Sequence, residues 1–251
     1  METVICIPQR TGATENAGRC LSRRGITATS LPGADVTHLL LPVPSFESDG
    51  NLRGGGSIEP LLRQLPREVC IIGGNLNHPT LEGYETIDLL RDPQYLAQNA
   101  AITAHCALKR MLNQLPVTLD RQPVLVIGWG RIGKCLARLL RQLDARVTIL
   151  ARKETDRAMA AALGFSTMEA DGDVSRFRVL VNTAPAQVLR EAQISRCRPD
   201  CLKLDLASSR GLPGADVIHA RGLPGKDAPE TSGRLIADSV MQFLYHKEAA
   251  P

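Results

Sequence analysis

Two kinds of stretch alternate along the chain. Short, nearly continuous apolar runs recur at Thr3 to Ile7, His38 to Val43, Val69 to Ile72, Val124 to Ile127, Ala145 to Leu150, Val179 to Asn182, Leu202 to Leu206 and Val217 to Ala220. Such runs, closed by glycine or proline, read as buried strands. Between them the apolar positions fall at helical spacing. Ala17, Cys20 and Leu21 share one helix face, and Ile58 to Leu65 suggests a short helix. A long helix is predicted from Tyr95 to Leu115, with Leu108, Met111, Leu112 and Leu115 as its stripe and Pro116 as its stop. Asp156 to Leu163 is a further helix ended by Gly164, and Ile236, Val240, Phe243 and Leu244 give a last helix its apolar face. Asp227, Pro229 and Glu230 look like that helix's capping box. Strands alternating with helices predict parallel α/β layers. The expected division is a small N-terminal α/β domain over 1–94 on the substrate side and a connecting helix over 95–116. A second α/β domain over 117–228 follows, then a C-terminal helix and frayed tail over 229–251, the helix packing back toward the first domain. The polar, glycine-rich segment 45–56 is expected to be a loop or mobile lid.

The run Val124 to Ile127 ends in Gly128-Trp129-Gly130-Arg131-Ile132-Gly133. Ile132, Leu136, Leu139, Leu140 and Leu143 then line one side of a helix, and another strand follows. Glycines spaced G-x-G-x-x-G between a strand and a helix suit a dinucleotide. The first permits the turn, the second lets a pyrophosphate approach the backbone, and the third lets helix and strand pack closely, while the helix N-terminus faces the phosphates. The second domain is therefore expected to be a Rossmann doubly wound parallel sheet. An NAD site usually carries Asp or Glu at the end of the next strand. Here the chain reads Leu150-Ala151-Arg152-Lys153, two cations that suit a 2′-phosphate, so NADP(H) is the expected cofactor. Ligands in such sheets sit outside the carboxyl ends of the strands. Asn182, Thr183, Asp205, Ser208, Ser209 and Arg210 are all expected there.

Composition changes this picture little. The 251 residues are 43% hydrophobic and 22% charged, as in ordinary globular domains. A net charge of +4 with scattered arginines argues against nucleic acid as a partner. Aromatics make up 3%, so the core must be aliphatic. The seven cysteines include no C-x-x-C and mostly lie in apolar runs. They are expected to be reduced and structural, with no metal site. With no signal peptide and no apolar run of membrane-spanning length, the expected location is cytoplasmic, without a membrane partner. A homo-oligomer is the base-rate expectation.

Several motifs carry a family resemblance: Val181-Asn182-Thr183-Ala184-Pro185, Leu204-Asp205-Leu206-Ala207-Ser208, and Gly222-Leu223-Pro224-Gly225 followed by Ala228-Pro229-Glu230-Thr231-Ser232-Gly233. Arg91-Asp92 with Asn99, and the strand ending in Leu41-Pro42-Val43, add to it. In this order they resemble the dipicolinate synthase A-subunit family, closely from Leu89 to Leu244 and loosely before. The resemblance implies an N-terminal α/β domain beside a Rossmann domain. It implies NADP-dependent formation of dipicolinate from a dihydrodipicolinate-type cyclic dicarboxylate, linked to sporulation, alongside a second, flavoprotein-like subunit. Carried over, Gly128, Trp129, Gly130, Arg131, Ile132, Gly133, Ala151, Arg152 and Lys153 would hold the cofactor. Asn182, Thr183, Ala184, Pro185, Asp205 and Ala207 would border its nicotinamide. Ser208, Ser209, Arg210, Gly222, Leu223, Pro224 and Lys226 would face the dicarboxylate. His105, Asp205 and Ser208 are the candidates for handling a proton.

The chain also departs from that family. Where the family has P-T-x-E-G, this sequence has Ile102-Thr103-Ala104-His105-Cys106. The opening strand lacks the family's G-G-D turn, and Ser209-Arg210-Gly211 replaces a proline and glycines after Ser208. Two other readings are therefore kept. One is an NAD(P) oxidoreductase like the 2-hydroxyacid dehydrogenases, which the glycine turn and Ser209-Arg210-Gly211 also resemble. The other is a non-catalytic, dinucleotide-binding regulatory subunit.

Overall fold

In the computed structural model, which describes residues 2–9 and 11–248, the chain forms two compact units. The first unit comprises residues 1–99 and 224–251 and the second residues 100–223. Arg10 and the tail beyond Glu248 lie outside the described residues.

The first unit contains β1 (Val4–Cys6), α1 (Gly12–Ser22), β2 (Thr27–Thr29), β3 (His38–Leu40), α2 (Glu59–Leu62), β4 (Cys70–Gly73) and β5 (Thr86–Asp88). The strands pair in parallel in the order β2-β1-β3-β4-β5, a doubly wound arrangement. Leu39, Leu41, Leu52, Ile58, Val69 and Ile71 are among its core residues. Segment 45–56 is anchored rather than loose: buried Ser45 donates its hydroxyl to Pro42 O at 2.8 Å and accepts Gly74 N–H at 3.0 Å. The segment also carries an antiparallel bridge between Phe46 and Leu52.

Helix α3 (Pro93–Gln114) begins in the first unit and ends in the second. Its buried positions include Ala100, Thr103, Ala104, Cys106, Ala107 and Met111. Small side chains, not leucines, make most of its inner face. Leu112, expected in the stripe, is 46% exposed.

The second unit continues with β6 (Pro123–Ile127), α4 (Arg131–Gln142), β7 (Arg146–Leu150), α5 (Glu154–Ala162) and β8 (Ser166–Met168). After these come β9 (Val179–Asn182), α6 (Glu191–Ile194), β10 (Leu202–Asp205) and β11 (Ile218–His219). All neighbouring strands are parallel, in the order β8-β7-β6-β9-β10-β11. Numbered within the unit this is 3-2-1-4-5-6, the Rossmann order, and its switch point lies between β6 and β9. Val124, Leu125, Val126 and Ile127 of β6 are each 0% exposed, as a central parallel strand covered on both faces requires.

Helix α7 (Leu223–Asp227) precedes α8 (Pro229–Glu248). Most of segment 222–226, a loop by the sequence pattern, forms this short helix. Asp227, the expected cap of the last helix, ends α7 instead. Ser232 N donates to Ala228 O at 2.9 Å, so Ala228 stands where α8 begins. Within the first unit α8 packs on α1, as the apolar face of the last helix implies. Gly233 lets the two helices come close: a Cβ there would stand 2.6 Å from Ala13 O and 2.7 Å from Ala17 N.

Candidate functional site

The three glycines of the β6–α4 turn are required for three separable reasons. Gly128 has φ +101°, and a Cβ on it would meet Thr183 Oγ1 at 2.7 Å and Ala184 N at 3.2 Å. A Cβ on Gly133 would run into the carbonyl oxygen of Gly128, so this residue lets α4 close down on the turn. Gly130 differs from both: a Cβ on it would meet nothing within 4 Å. Its φ of −81° and ψ of −171° suit any residue, and as the N-cap of α4 it leaves the helix without a side-chain cap. The first N–H groups of α4 are thus left for an anionic ligand.

A cavity of about 250 Å³ opens at this switch point. Its wall is Gly128, Trp129 and Gly130 from the turn, and Leu150, Ala151, Arg152, Lys153 and Asp156 from the end of β7 and the start of α5. Thr183, Ala184, Pro185 and Val188 complete it beyond β9. Arg152 and Lys153 are exposed there. Thr183 is fixed to the neighbouring strand, since its N–H and its hydroxyl both donate to Ile127 O, at 2.8 and 2.9 Å. A larger groove, about 420 Å³, runs between α1 and β2 within the first unit.

Trp129 is 6% exposed, and its ring meets Phe165 edge-on with centroids 5.6 Å apart. Lys134 Nζ stands 5.8 Å from the indole ring. The buried indole Nε1 has no hydrogen-bond partner among the described residues. The glycine cradle, the uncapped helix and the two cations suit the phosphates of a nicotinamide dinucleotide.

The other residues expected at the site from the sequence do not line this cavity. Arg131 and Ile132 begin α4, exposed and half-buried respectively, outside the cavity wall. Asn182 and Asp205 are 0% and 1% exposed and bonded to each other: Asn182 Nδ2 donates to Asp205 Oδ1 at 2.8 Å. Asp205 also accepts N–H groups from Ala207 at 3.2 Å, Gly211 at 2.8 Å and Leu212 at 3.2 Å. Asn182 spans its own loop, donating to Ala184 O at 3.0 Å and accepting Ala184 N–H at 3.2 Å. The pair therefore ties the loop after β9 to the loop after β10. A carboxylate occupied in this way holds backbone in place, and its oxygens are turned to the protein.

Ala207 is buried, whereas Ser208, Ser209 and Arg210 are exposed beyond β10, with Ser209 Oγ donating to Pro185 O at 2.9 Å. His105 is exposed on α3. Gly222 and Leu223 belong to the second unit and Pro224 and Lys226 to the first. Leu223 is 2% exposed and Lys226 is exposed near the end of α7.

Sequence reasoning missed four contributors, the first being Leu150, the last residue of β7, which reads as core alone. Val188 lies in a loop with no pattern of its own. Asp156 lies one helical turn beyond Arg152, in the first turn of α5, so folding brings it into the same wall. Arg157, next to it, reaches back to the loop before its helix. Its Nη1 donates to Ala151 O and Arg152 O, both at 2.9 Å, and its Nη2 pairs with Glu169 Oε1 at 2.8 Å. The spacing from Arg152 to Asp156 is the one signal in the sequence.

Residues 87–202 match the family model described as D-isomer specific 2-hydroxyacid dehydrogenase, NAD binding domain. Over 242 residues the chain is 26% identical to the A-subunit of dipicolinate synthase from Bacillus subtilis (strain 168), covering 87% of this chain and 81% of that one. The crystal structure of that Bacillus subtilis protein has a TM-score of 0.81 at 22% identity, covering 99% of this chain and 98% of its own. The crystal structure of its counterpart from Bacillus halodurans has a TM-score of 0.82, also at 22% identity, covering 100% and 98%. A transhydrogenase from Sinorhizobium meliloti has a TM-score of 0.72 at 12% identity, covering 97% and 92%. The chain is thus similar, at low identity, to the dipicolinate synthase A-subunit, and its residues 87–202 are similar to a dehydrogenase NAD-binding domain. The shared fold includes the first 80 residues, where motifs are sparse. No helix among the described residues is long and apolar enough to cross a membrane.

Proposed function

We propose that this protein is an NADP-dependent oxidoreductase acting on a small cyclic dicarboxylate of the dihydrodipicolinate type. The observation that carries the reading is the cavity at the switch point, where the glycine turn and the Arg152–Lys153 pair share one wall. Likeness to dipicolinate synthase supports the substrate class. The uncapped start of α4 and the backbone at Gly130 would hold the pyrophosphate, and Arg152 and Lys153 the 2′-phosphate. Thr183, Ala184 and Pro185 would line the nicotinamide side, steadied by Asn182 and Asp205. When bound there, the nicotinamide supplies hydride exchange. Arg210, exposed after β10, would pair with a substrate carboxylate, with Ser208 as a hydroxyl donor beside it. His105 stands where the resembled family has Glu, and an imidazole can take the proton lost when such a ring is oxidised. A flavoprotein-like partner protein belongs to the same reading.

Two observations favour neighbouring readings. Asp156 in the cavity wall is an acid that could accept a ribose hydroxyl, which favours NAD. The family match over residues 87–202 favours 2-oxo and 2-hydroxy acids as substrates. One titration separates the cofactors. Trp129 is the chain's single tryptophan and lines the cavity, so its fluorescence reports occupancy directly. NADPH should bind more tightly than NADH, and Arg152→Ala should cost about 10- to 100-fold in NADPH affinity with little change for NADH. Equal binding of both by the wild type sinks the NADP reading. Oxidation of NADPH by 2-oxo acids, rather than reduction of NADP+ by cyclic dihydro-dicarboxylates, would shift the substrate class.

A further inference from the structure

We infer that Arg157 sets cofactor specificity from behind the binding loop, as the positioning residue for the 2′-phosphate contacts. This rests on the NADP reading above. Only Ala151, Arg152 and Lys153 separate β7 from α5, and all three line the cavity. Arg157 does not line it. Its guanidinium sits behind the loop, its side chain 18% exposed, and donates to two consecutive carbonyls, those of Ala151 and Arg152.

Two carbonyls held by one rigid planar group fix two successive peptide planes. A trans peptide sends its N–H opposite to its C=O. Fixing these carbonyls therefore fixes the N–H groups of Arg152 and Lys153 on the face away from the guanidinium. It also fixes the directions in which the two cationic side chains leave the backbone. Both are long and flexible, and a loop of uncertain shape would add its own entropy to the cost of ordering them on a phosphate. Glu169 on the far side completes the device, because its carboxylate holds the other arm of the guanidinium at 2.8 Å. The fork geometry is particular to arginine, and a lysine ammonium cannot reproduce it in full.

A purely structural Arg157 would affect both nucleotides alike, since NADH and NADPH share everything except the 2′-phosphate. The test is therefore a ratio. Trp129 fluorescence titrations with NADPH and NADH would be run on wild type, R157M, R157K, E169Q, R152A and R152A/R157M, with thermal melting as the folding control. R157M should lower NADPH affinity about tenfold or more while NADH stays within about twofold. R157K should recover part of the preference, and E169Q, which alters an exposed partner, should shift it less in the same direction. If Arg157 acts through Arg152, the double variant should lose no more preference than R152A alone. Equal loss for both nucleotides, or an unchanged ratio in a folded R157M, overturns the inference while leaving the NADP reading intact. If R157M fails to fold, E169Q and R157K decide: an unchanged ratio in both overturns it. A wild type with no preference for NADPH overturns the NADP reading and this inference with it.

Discussion

At the scale of single residues, the glycine turn separates what the fold needs from what a ligand needs. Gly133 and Gly128 are required by neighbouring protein atoms, so substitutions there should unfold the turn before they inform on binding. Gly130 has ordinary backbone angles and open space beside it. Gly130→Ala should therefore leave stability unchanged or raise it by about 0.4–1 kcal/mol, because alanine restricts the unfolded chain. The added methyl stands where a pyrophosphate would approach, so affinity for both NADPH and NADH should fall together, about tenfold or more. Calorimetric titration beside a melting curve checks this. A folded Gly130→Ala protein that binds nucleotide normally would place the phosphates elsewhere. Of this site, the glycine turn is legible because its spacing is local and its flanking strand and helix are strongly patterned. Asp156 and Arg157 are not, because their roles depend on the first turn of α5 folding back over three residues of loop. Asp205 misleads for a related reason: a carboxylate at a strand end reads the same whether it faces a ligand or, as here, backbone N–H groups behind it.

At the scale of elements, legibility follows burial. Strand β9 occupies the residues its pattern predicts, and β6 differs by one residue, because both are central and apolar nearly throughout. Strands β2, β5 and β8 escape the pattern: each lies at a sheet margin, is partly exposed along its length, and carries no continuous apolar run. Helix α3 is legible in extent, but its face is not, since Ala100, Ala104 and Ala107 mark contact by small size rather than hydrophobicity. The same logic governs α1 and α8. Gly233 lies within a helix, where alanine is intrinsically better by about 1 kcal/mol. Yet a Cβ there would press on Asn16 Cβ at 2.6 Å and on the α1 backbone, which cannot rotate away as a flexible side chain can. Overpacking of this kind costs about 1–3 kcal/mol, so Gly233→Ala should be net destabilising despite its better helix propensity. Urea denaturation checks the sign. A stabilised variant would mean that the two helices slide apart at little cost.

At the scale of the whole molecule, resistance to acid gathers the effect of carboxylates held ionised in the folded state. Asp200 is the most strongly shifted of these. Arg198 grips it with two hydrogen bonds, at 2.7 and 2.9 Å, and buried Arg178, just before β9, approaches it at 3.0 Å. These partners hold its carboxyl down to about 2, with Arg198 the larger cause. An unfolded aspartate titrates near 3.9, roughly. Because the folded value is the lower one, the group adds stability above about pH 4. That contribution is lost progressively as pH falls from about 4 toward 2, where the folded carboxyl takes up its proton. Asp200 is itself largely in solvent, so the effect should be modest and weakened by salt. Asp200→Asn removes the titrating group and leaves Arg178 without its anionic partner. The stability gap between wild type and Asp200→Asn should hold constant from neutral pH to about 5, then narrow steadily toward about pH 2. Denaturation midpoints at several pH values measure it, and other carboxylates cancel because both proteins share them. A gap that stays the same throughout this range would show that Asp200 acts through shape rather than charge.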